Sequence, residues 1–181
     1  MTQQEFEDIL KKNKSHEFRN EKLEGRINFN DFKGIGNEFE LDSIKFIGCE
    51  IDSLVFSFIN FSEIIFEDCL INDITLKHLH GKKLSFKGST RLNKLLLNNS
   101  NSFNAIYFEA DVVINDYLEI YKNNIGALLL CGTIRKAYIE AKINLLELRY
   151  LKAIDYIKFV NLESFDHNYN NRIKIAESTL N

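Results

Sequence analysis

The chain of 181 residues is 45% hydrophobic, which is enough for one domain with a substantial core. Its 23 basic and 26 acidic side chains give a formal net charge of −3, which argues against direct binding of nucleic acid, because such domains are usually basic. The three cysteines, Cys49, Cys69 and Cys131, include no CxxC pair and argue against a disulfide framework or a zinc site.

The first predicted element is a helix from Thr2 to about Lys12. Thr2 followed by Glu5 forms a capping-box motif, and Phe6, Ile9 and Leu10 fall on one face of the helix at positions i, i+3 and i+4. We predict that residues 1–14 form a helical cap over the domain that follows. An amphipathic helix that binds a partner is the alternative.

From Ile44 to Leu76 a large apolar residue recurs every five positions. The members of this series are Phe46, Ile51, Phe56, Phe61, Phe66, Ile71 and Leu76. A second, usually apolar residue precedes each of them by two positions: Ile44, Cys49, Leu54, Ile59, Ile64, Cys69 and Ile74. A helix repeats at 3.6 residues and an exposed strand at 2, so a period of five fits neither. It predicts a chain that turns a corner after each short straight segment, with four such sides closing a coil of 20 residues.

Residues 20 apart match chemically, as stacked coils require. The predicted inward columns are Phe46/Phe66/Phe86, Ile44/Ile64/Leu84, Cys49/Cys69/Ser89 and Phe56/Leu76/Leu96. Successive coils would stack about 4.8 Å apart through parallel-strand hydrogen bonds.

The segments "CEIDS" (residues 49–53), "INFSE" (59–63) and "CLIND" (69–73) carry a resemblance to the pentapeptide-repeat family. The resemblance covers about Phe39 to Leu97, a third of the chain, and implies that family's right-handed, four-sided parallel β-helix. The sequence departs from the family pattern where the polar residue before the central apolar one is replaced, and where the five-residue period fails. These departures are Val55, Ile65, Leu70 and Thr75 for the first kind, and Gly81, Arg91 and Lys94 for the second.

Beyond Leu97 a period of 20 to 22 residues survives, which is typical of a solenoid. "NNSNS" (residues 98–102) is predicted to be a corner loop that absorbs two extra residues. We predict a single all-β domain of about seven coils over residues 27–165, with "INF" (27–29) as the first coil and the glycine turn Gly34–Gly36 after it. Residues 166–181 would form a C-terminal cap or tail, either a strand that closes the last coil or a contact in a homodimer.

The search for catalytic and metal-binding motifs favours structural explanations for each candidate residue. Cys49 and Cys69 point inward one coil apart and are predicted to be small core residues. His78 and His80 face outward without a third metal ligand, and His16 and His167 lie in polar surroundings. The sequence therefore predicts no catalytic residue, no metal and no cofactor.

Acidic residues are the first candidate binding set. We predict an acidic face composed of Glu50, Asp52, Glu67, Asp68, Asp73 and Asp116. Some proteins of the family that the chain resembles imitate the DNA duplex in this way, since negative charges along a rod mimic phosphates. An ordinary solvated face is the alternative, because neighbouring lysines dilute the negative field.

Apolar residues at outward positions are the second candidate set. Ile47, Val55, Phe58, Ile65 and Leu70 fall where a solenoid normally shows polar groups, so we predict a partner-binding patch. The alternative is that the N-terminal helix or the C-terminal tail covers them.

The functional prediction is a non-catalytic protein-binding module. The resemblance implies an inhibitor or protector of a bacterial enzyme that acts on nucleic acid, either a topoisomerase or a phage-defence nuclease. Two alternatives remain open, a polysaccharide-active β-helix enzyme using Asp52, Asp73 and Asp116, and a purely structural rod. No apolar run approaches the roughly 20 residues of a membrane helix, and the polar N-terminus lacks a signal sequence, so we expect a cytoplasmic bacterial or phage protein.

Overall fold

A computed structural model describes residues 1–30, 39–99 and 101–160, and the backbone of residues 174–176. The predicted turn at Gly34–Gly36, His167 and most of the C-terminal cap lie outside these residues. The elements in chain order are α1 (Gln3–Lys12), β1 (Ser15–Arg19), β2 (Lys22–Asn30), β3 (Phe39–Ile47), β4 (Glu50–Glu67), β5 (Leu70–Lys87), β6 (Arg91–Asn98), β7 (Ser102–Phe108), β8 (Val113–Phe159) and β9 (Lys174–Ala176).

All the strand pairings among these elements are parallel, and they stack the chain as a β-solenoid. The predicted parallel β-helix with a short N-terminal helix is therefore confirmed. Four stacks of strand segments define the four sides of the rod. The first side contains residues 15–19, 43–47, 63–67, 83–87, 105–108 and 127–129; the second, 22–23, 50–51, 70–71, 91–92 and 113–114; the third, 26–30, 53–57, 73–77, 94–98 and 117–121; the fourth, 39–41, 59–61, 79–81, 102–103 and 124–125.

Two predictions about the extent of the coils need correction. The first strand of the stack is β1, which pairs with residues 43–47, so the solenoid begins at Ser15 and not at Ile27. The register step from Ser15 to Ser43 is 28 residues, and this long first step concealed β1 from a search for a period of 20. The regular part amounts to about four turns, so the predicted seven coils are a slight overcount.

A ladder of stacked phenylalanine rings forms the centre of the core. Phe18, Phe46, Phe66, Phe86 and Phe108 lie one above another, with ring centroids 5.1, 4.9, 5.2 and 4.8 Å apart and interplanar angles of 10° or less. All five side chains are buried. Because each coil places the same residue type at the same inward position, the rings can stack with the spacing of the strands.

Helix α1 covers the N-terminal end of this ladder, as predicted. The Thr2 amide donates to Glu5 Oε2 (2.8 Å), which completes the predicted capping box. Phe6 and Leu10 are buried and Ile9 is half-buried. The Phe6 ring stacks on Phe18 with centroids 5.2 Å apart, so the helix extends the aromatic ladder by one further ring.

Small polar side chains satisfy the backbone at one corner of the coil. The Cys49 thiol donates to the Phe18 carbonyl (3.4 Å), the Cys69 thiol to the Phe46 carbonyl (3.3 Å), and the Thr90 hydroxyl to the Phe66 carbonyl (3.3 Å). Each bond reaches back to the preceding coil. A small donor at this position therefore ties successive coils together, which gives the cysteines a structural role.

The failure of the five-residue period at Gly81 has a packing explanation. Gly81 occupies the inward column of the fourth side between Phe61 and Phe103. A Cβ atom added at Gly81 would lie 2.2 Å from Phe61 Cζ, so the Phe61 ring fills the space that a side chain at position 81 would need.

Candidate interaction surfaces

The predicted apolar patch is wrong as a continuous surface. Val55 and Ile65 are only 6% exposed, although both point outward. Each lies between the side chains of the adjacent coils, Ile65 between Lys45 and Ser85 on the first side, and these neighbours cover it.

The other three apolar candidates lie apart from one another. Ile47 is half-buried on the first side. Phe58 sits at a corner with a φ of 58°, and its ring stacks on His78 with centroids 4.7 Å apart. Leu70, on the second side, is 53% exposed. The five candidates therefore do not form one binding patch.

This difference in burial predicts opposite outcomes for two similar substitutions. Ile65→Asp should lower the free energy of unfolding by roughly 2–3 kcal/mol, because it places a carboxylate in a covered apolar position. Leu70→Asp should change it by less than about 0.5 kcal/mol, as expected for an exposed site. Urea unfolding followed by circular dichroism measures both; equal midpoints for the two variants would refute the assignment of burial.

The predicted acidic residues are distributed over three sides and a corner. Glu50 and Asp52 flank Ile51 on the second side, Asp73 lies on the third side and Glu67 on the first. Asp116 belongs to an irregular step between the second and third sides. A single acidic stripe is therefore not present among these residues.

Two of the acidic side chains form hydrogen bonds with neighbouring coils. Asp52 Oδ2 accepts from the Gly25 amide (2.8 Å), and Asp68 Oδ1 accepts from both the amide (2.8 Å) and the hydroxyl (2.9 Å) of Ser89. The Ser89 hydrogen bonds lower the pKa of Asp68, which keeps this corner negatively charged. These carboxylates hold the coils in register in addition to contributing charge.

A shallow groove on the second side contains a ladder of asparagines. Asn93 Nδ2 donates to Asn72 Oδ1 (2.8 Å) and Asn115 Nδ2 donates to Asn93 Oδ1 (3.3 Å). Glu50 and Asp52 line the same groove. Asp73 lies on the adjacent side, so the three aspartates considered for polysaccharide chemistry are not gathered in one groove.

The cysteine and histidine candidates are placed without a shared site. Cys49, Cys69 and Cys131 are free and buried. A hydrogen bond with Cys49 and burial raise the pKa of the Cys69 thiol. Among the residues that the structure describes, no group of three or more His, Cys, Asp or Glu side chains could hold a metal ion.

The most distinctive surface was missed by the sequence reasoning. Tyrosines project outward from the later coils of the third side, and charge interactions connect Tyr138 with Tyr117 and Tyr121, and Tyr117 with Tyr156. We define the tyrosine face as these four tyrosines and the charged residues between them: Tyr117, Glu119, Tyr121, Tyr138, Glu140, Tyr156 and Lys158.

Contacts within the tyrosine face hold its rings in place. The Tyr117 hydroxyl donates to Glu119 (3.3 Å) and the Tyr138 hydroxyl to Glu140 (2.7 Å), while the Lys158 ammonium lies 6.0 Å from the centre of the Tyr138 ring. The hydrogen bond to Glu140 raises the pKa of Tyr138 to about 12, so this tyrosine is neutral at physiological pH. Tyr156 is 47% exposed at the edge of the face.

A signal for this face was present in the sequence. In "YLEIY" (residues 117–121) the tyrosines alternate with the inward Leu118 and Ile120, and Tyr138 likewise precedes the inward Ile139. Strict alternation of this kind predicts that the tyrosines share the outer surface of a strand.

No family model, curated protein or solved structure matches the chain. Within the described part of the chain, no helix is both long enough and apolar enough to cross a membrane.

Proposed function

We propose that this protein is a non-catalytic binding module that contacts a protein partner through the tyrosine face. The observation that carries this proposal is the presence of tyrosines on one side of successive coils, partly exposed and hydrogen-bonded to neighbouring glutamates. Tyrosine is enriched at the centres of protein interfaces, because its ring buries a large area and its hydroxyl can still bond a polar group.

The order already present in this face supports binding. Fixing a side chain at an interface costs about 0.5–1.5 kcal/mol when that side chain is free to move beforehand. Tyr117 and Tyr138 are restrained by their glutamate partners before any complex forms. A partner would therefore meet a surface whose shape is largely set.

For the partner, we retain the class that the pentapeptide-repeat resemblance implies, a bacterial enzyme that acts on nucleic acid. A topoisomerase or a phage-defence nuclease fits this class, and a cytoplasmic location follows from it. The stacked parallel coils support this proposal, since they form the same kind of solenoid that the resemblance predicts.

The test is capture of a partner from nuclease-treated bacterial lysate, followed by mass spectrometry. The double variant Tyr138→Ala/Tyr156→Ala should lose at least about tenfold of the captured partner, as expected when two central tyrosines are truncated. Tyr107→Ala removes a half-buried tyrosine from the opposite, first side and is the matched control, which should capture as much as the native protein. Capture that survives the double variant, with both variants folded, would refute the role of the tyrosine face.

A polysaccharide ligand is the second candidate, favoured by the groove on the second side. Its asparagine ladder and the carboxylates of Glu50 and Asp52 offer amide and carboxylate groups that suit sugar hydroxyls. Glycan-array binding that is abolished by Asn93→Ala and unaffected by Tyr138→Ala would favour this candidate over the first.

A further inference from the structure

A second groove, on the first side of the rod, has the features of a small-molecule site. Its volume is about 580 Å³, within the range of roughly 300–1,000 Å³ typical of ligand pockets. Tyr107, Leu129 and Cys131 provide an apolar surface, and Lys87 and Arg149 lie on the coils at its two ends. The first and third sides are opposite faces of the coil, so this groove is separate from the tyrosine face.

The groove spans several coils. Ser85 pairs with Tyr107 and the latter with Leu129, and the backbone of Arg149 bonds to Cys131. At about 4.8 Å for each coil, the three steps from the Ser85 strand to the Arg149 strand cover roughly 14 Å. This length suits a ligand with two parts more than it suits a single small ion.

A buried hydroxyl in this groove has no partner. Ser85 is completely buried, and its Oγ accepts or donates no hydrogen bond among the described residues. An unpaired buried polar group costs free energy, so an oxygen-rich ligand that bonded it would remove this cost.

Two lysines flank this hydroxyl on the same strand. Lys83 is held by Glu63 (2.9 Å) and lies 5.8 Å from the centre of the Tyr107 ring, while Lys87 forms no ion pair with a described residue. The only carboxylate of the groove, Glu109, already accepts from the Gly88 amide (3.1 Å). At the far end, Arg149 pairs with Glu147 (2.6 Å). The end near Ser85 therefore offers two ammonium groups and one hydroxyl.

We propose that this groove binds a nucleoside monophosphate, with the phosphate at Lys83, Ser85 and Lys87 and the base over Tyr107 and Leu129. A phosphate has several strong acceptor oxygens and can take bonds from two ammonium groups and a hydroxyl together. The base supplies the flat apolar surface that Tyr107 and Leu129 complement. The site needs no contact with the tyrosine face, so it is independent of the proposed protein partner.

Titration calorimetry with AMP tests the proposal, with adenosine and inorganic phosphate as partial ligands. AMP should bind with a Kd of about 1 mM or below, and each partial ligand at least about tenfold more weakly. Lys87→Ala should weaken AMP binding about tenfold, which is typical for one charge-assisted contact. Lys77→Ala, on the third side, is the matched control and should leave AMP binding unchanged.

Ser85→Ala separates binding from stability. Because the Ser85 hydroxyl is unpaired in the free protein, its removal should not lower the melting temperature, but it should reduce the increase in melting temperature that AMP produces. No binding of AMP at about 5 mM would overturn the proposal. So would AMP binding that is equally strong in the Lys87→Ala variant.

Discussion

Phe66→Ala should lower the free energy of unfolding by about 3–5 kcal/mol, the usual cost of removing a buried phenylalanine ring. Phe66 is completely buried in the middle of the aromatic ladder, 4.9 Å from the Phe46 ring and 5.2 Å from the Phe86 ring. Its loss would leave a cavity between two stacked rings that the backbone, fixed by parallel hydrogen bonds on both sides, cannot easily close.

Guanidinium unfolding at equilibrium measures this effect, and Phe66→Leu is the control. Leucine retains most of the volume and should cost less than about 1.5 kcal/mol. In a solenoid each coil contacts mainly its neighbours, so the alanine variant should also increase hydrogen exchange most in the coils next to position 66. A loss below about 1 kcal/mol for Phe66→Ala would show that the ladder is not the main source of core stability.

Phe6→Ala should cost about 3–5 kcal/mol and should also cause the protein to associate. Phe6 is buried against the rings of Phe18, Phe29, Phe46 and Phe56, with centroids 5.2 to 6.4 Å away. Without this anchor the helix would no longer cover the first coil, and an uncovered end of a parallel solenoid is a template for pairing with another chain.

Denaturant unfolding and light scattering at several protein concentrations measure the two effects. Thr2→Ala weakens the same helix through its capping box and should cost only about 1 kcal/mol, without association. Asp8→Ala, at an exposed position of the helix, should behave as the native protein. Unchanged stability and an unchanged mass for Phe6→Ala would contradict the role of α1 as a cap.

The architecture could be predicted because the inward residues are set by the length of each side. While every side has five residues, the apolar pattern identifies the column of each side chain, and Phe46, Phe66 and Phe86 stack as predicted. This regularity ends at Gly88, after which the register step from Leu70 to Arg91 is 21 residues.

The register beyond Gly88 could not be predicted from the apolar pattern. Thr90, and not Ser89, follows Cys69 at the corner, and Leu97, and not Leu96, follows Leu76. Three consecutive leucines, Leu95 to Leu97, fit either alignment equally well. The second extra residue does fall within the predicted loop at 98–102, because His80 pairs with Ser102.

The exposure of the candidate site residues could not be read from their positions within one coil. Ile65 points outward, but its burial depends on Lys45 and Ser85 in the coils on either side. The tyrosine face depends on neighbouring coils in the same way, since Tyr117 and Tyr138 come together only when residues 21 apart in sequence are stacked. Local alternation predicts the direction of a side chain, whereas its surroundings require the register of the whole stack.

The most direct test of partner binding through the tyrosine face is an affinity measurement with one double variant for each side of the rod. The variants are Tyr138→Ala/Tyr156→Ala for the third side, Lys83→Ala/Lys87→Ala for the first, Asn72→Ala/Asn93→Ala for the second and His80→Ala/Asn104→Ala for the fourth. With the captured partner, we predict that only the third-side variant loses about tenfold or more in affinity. An equal or larger loss in a variant of another side, with the third-side variant binding normally, would contradict the account.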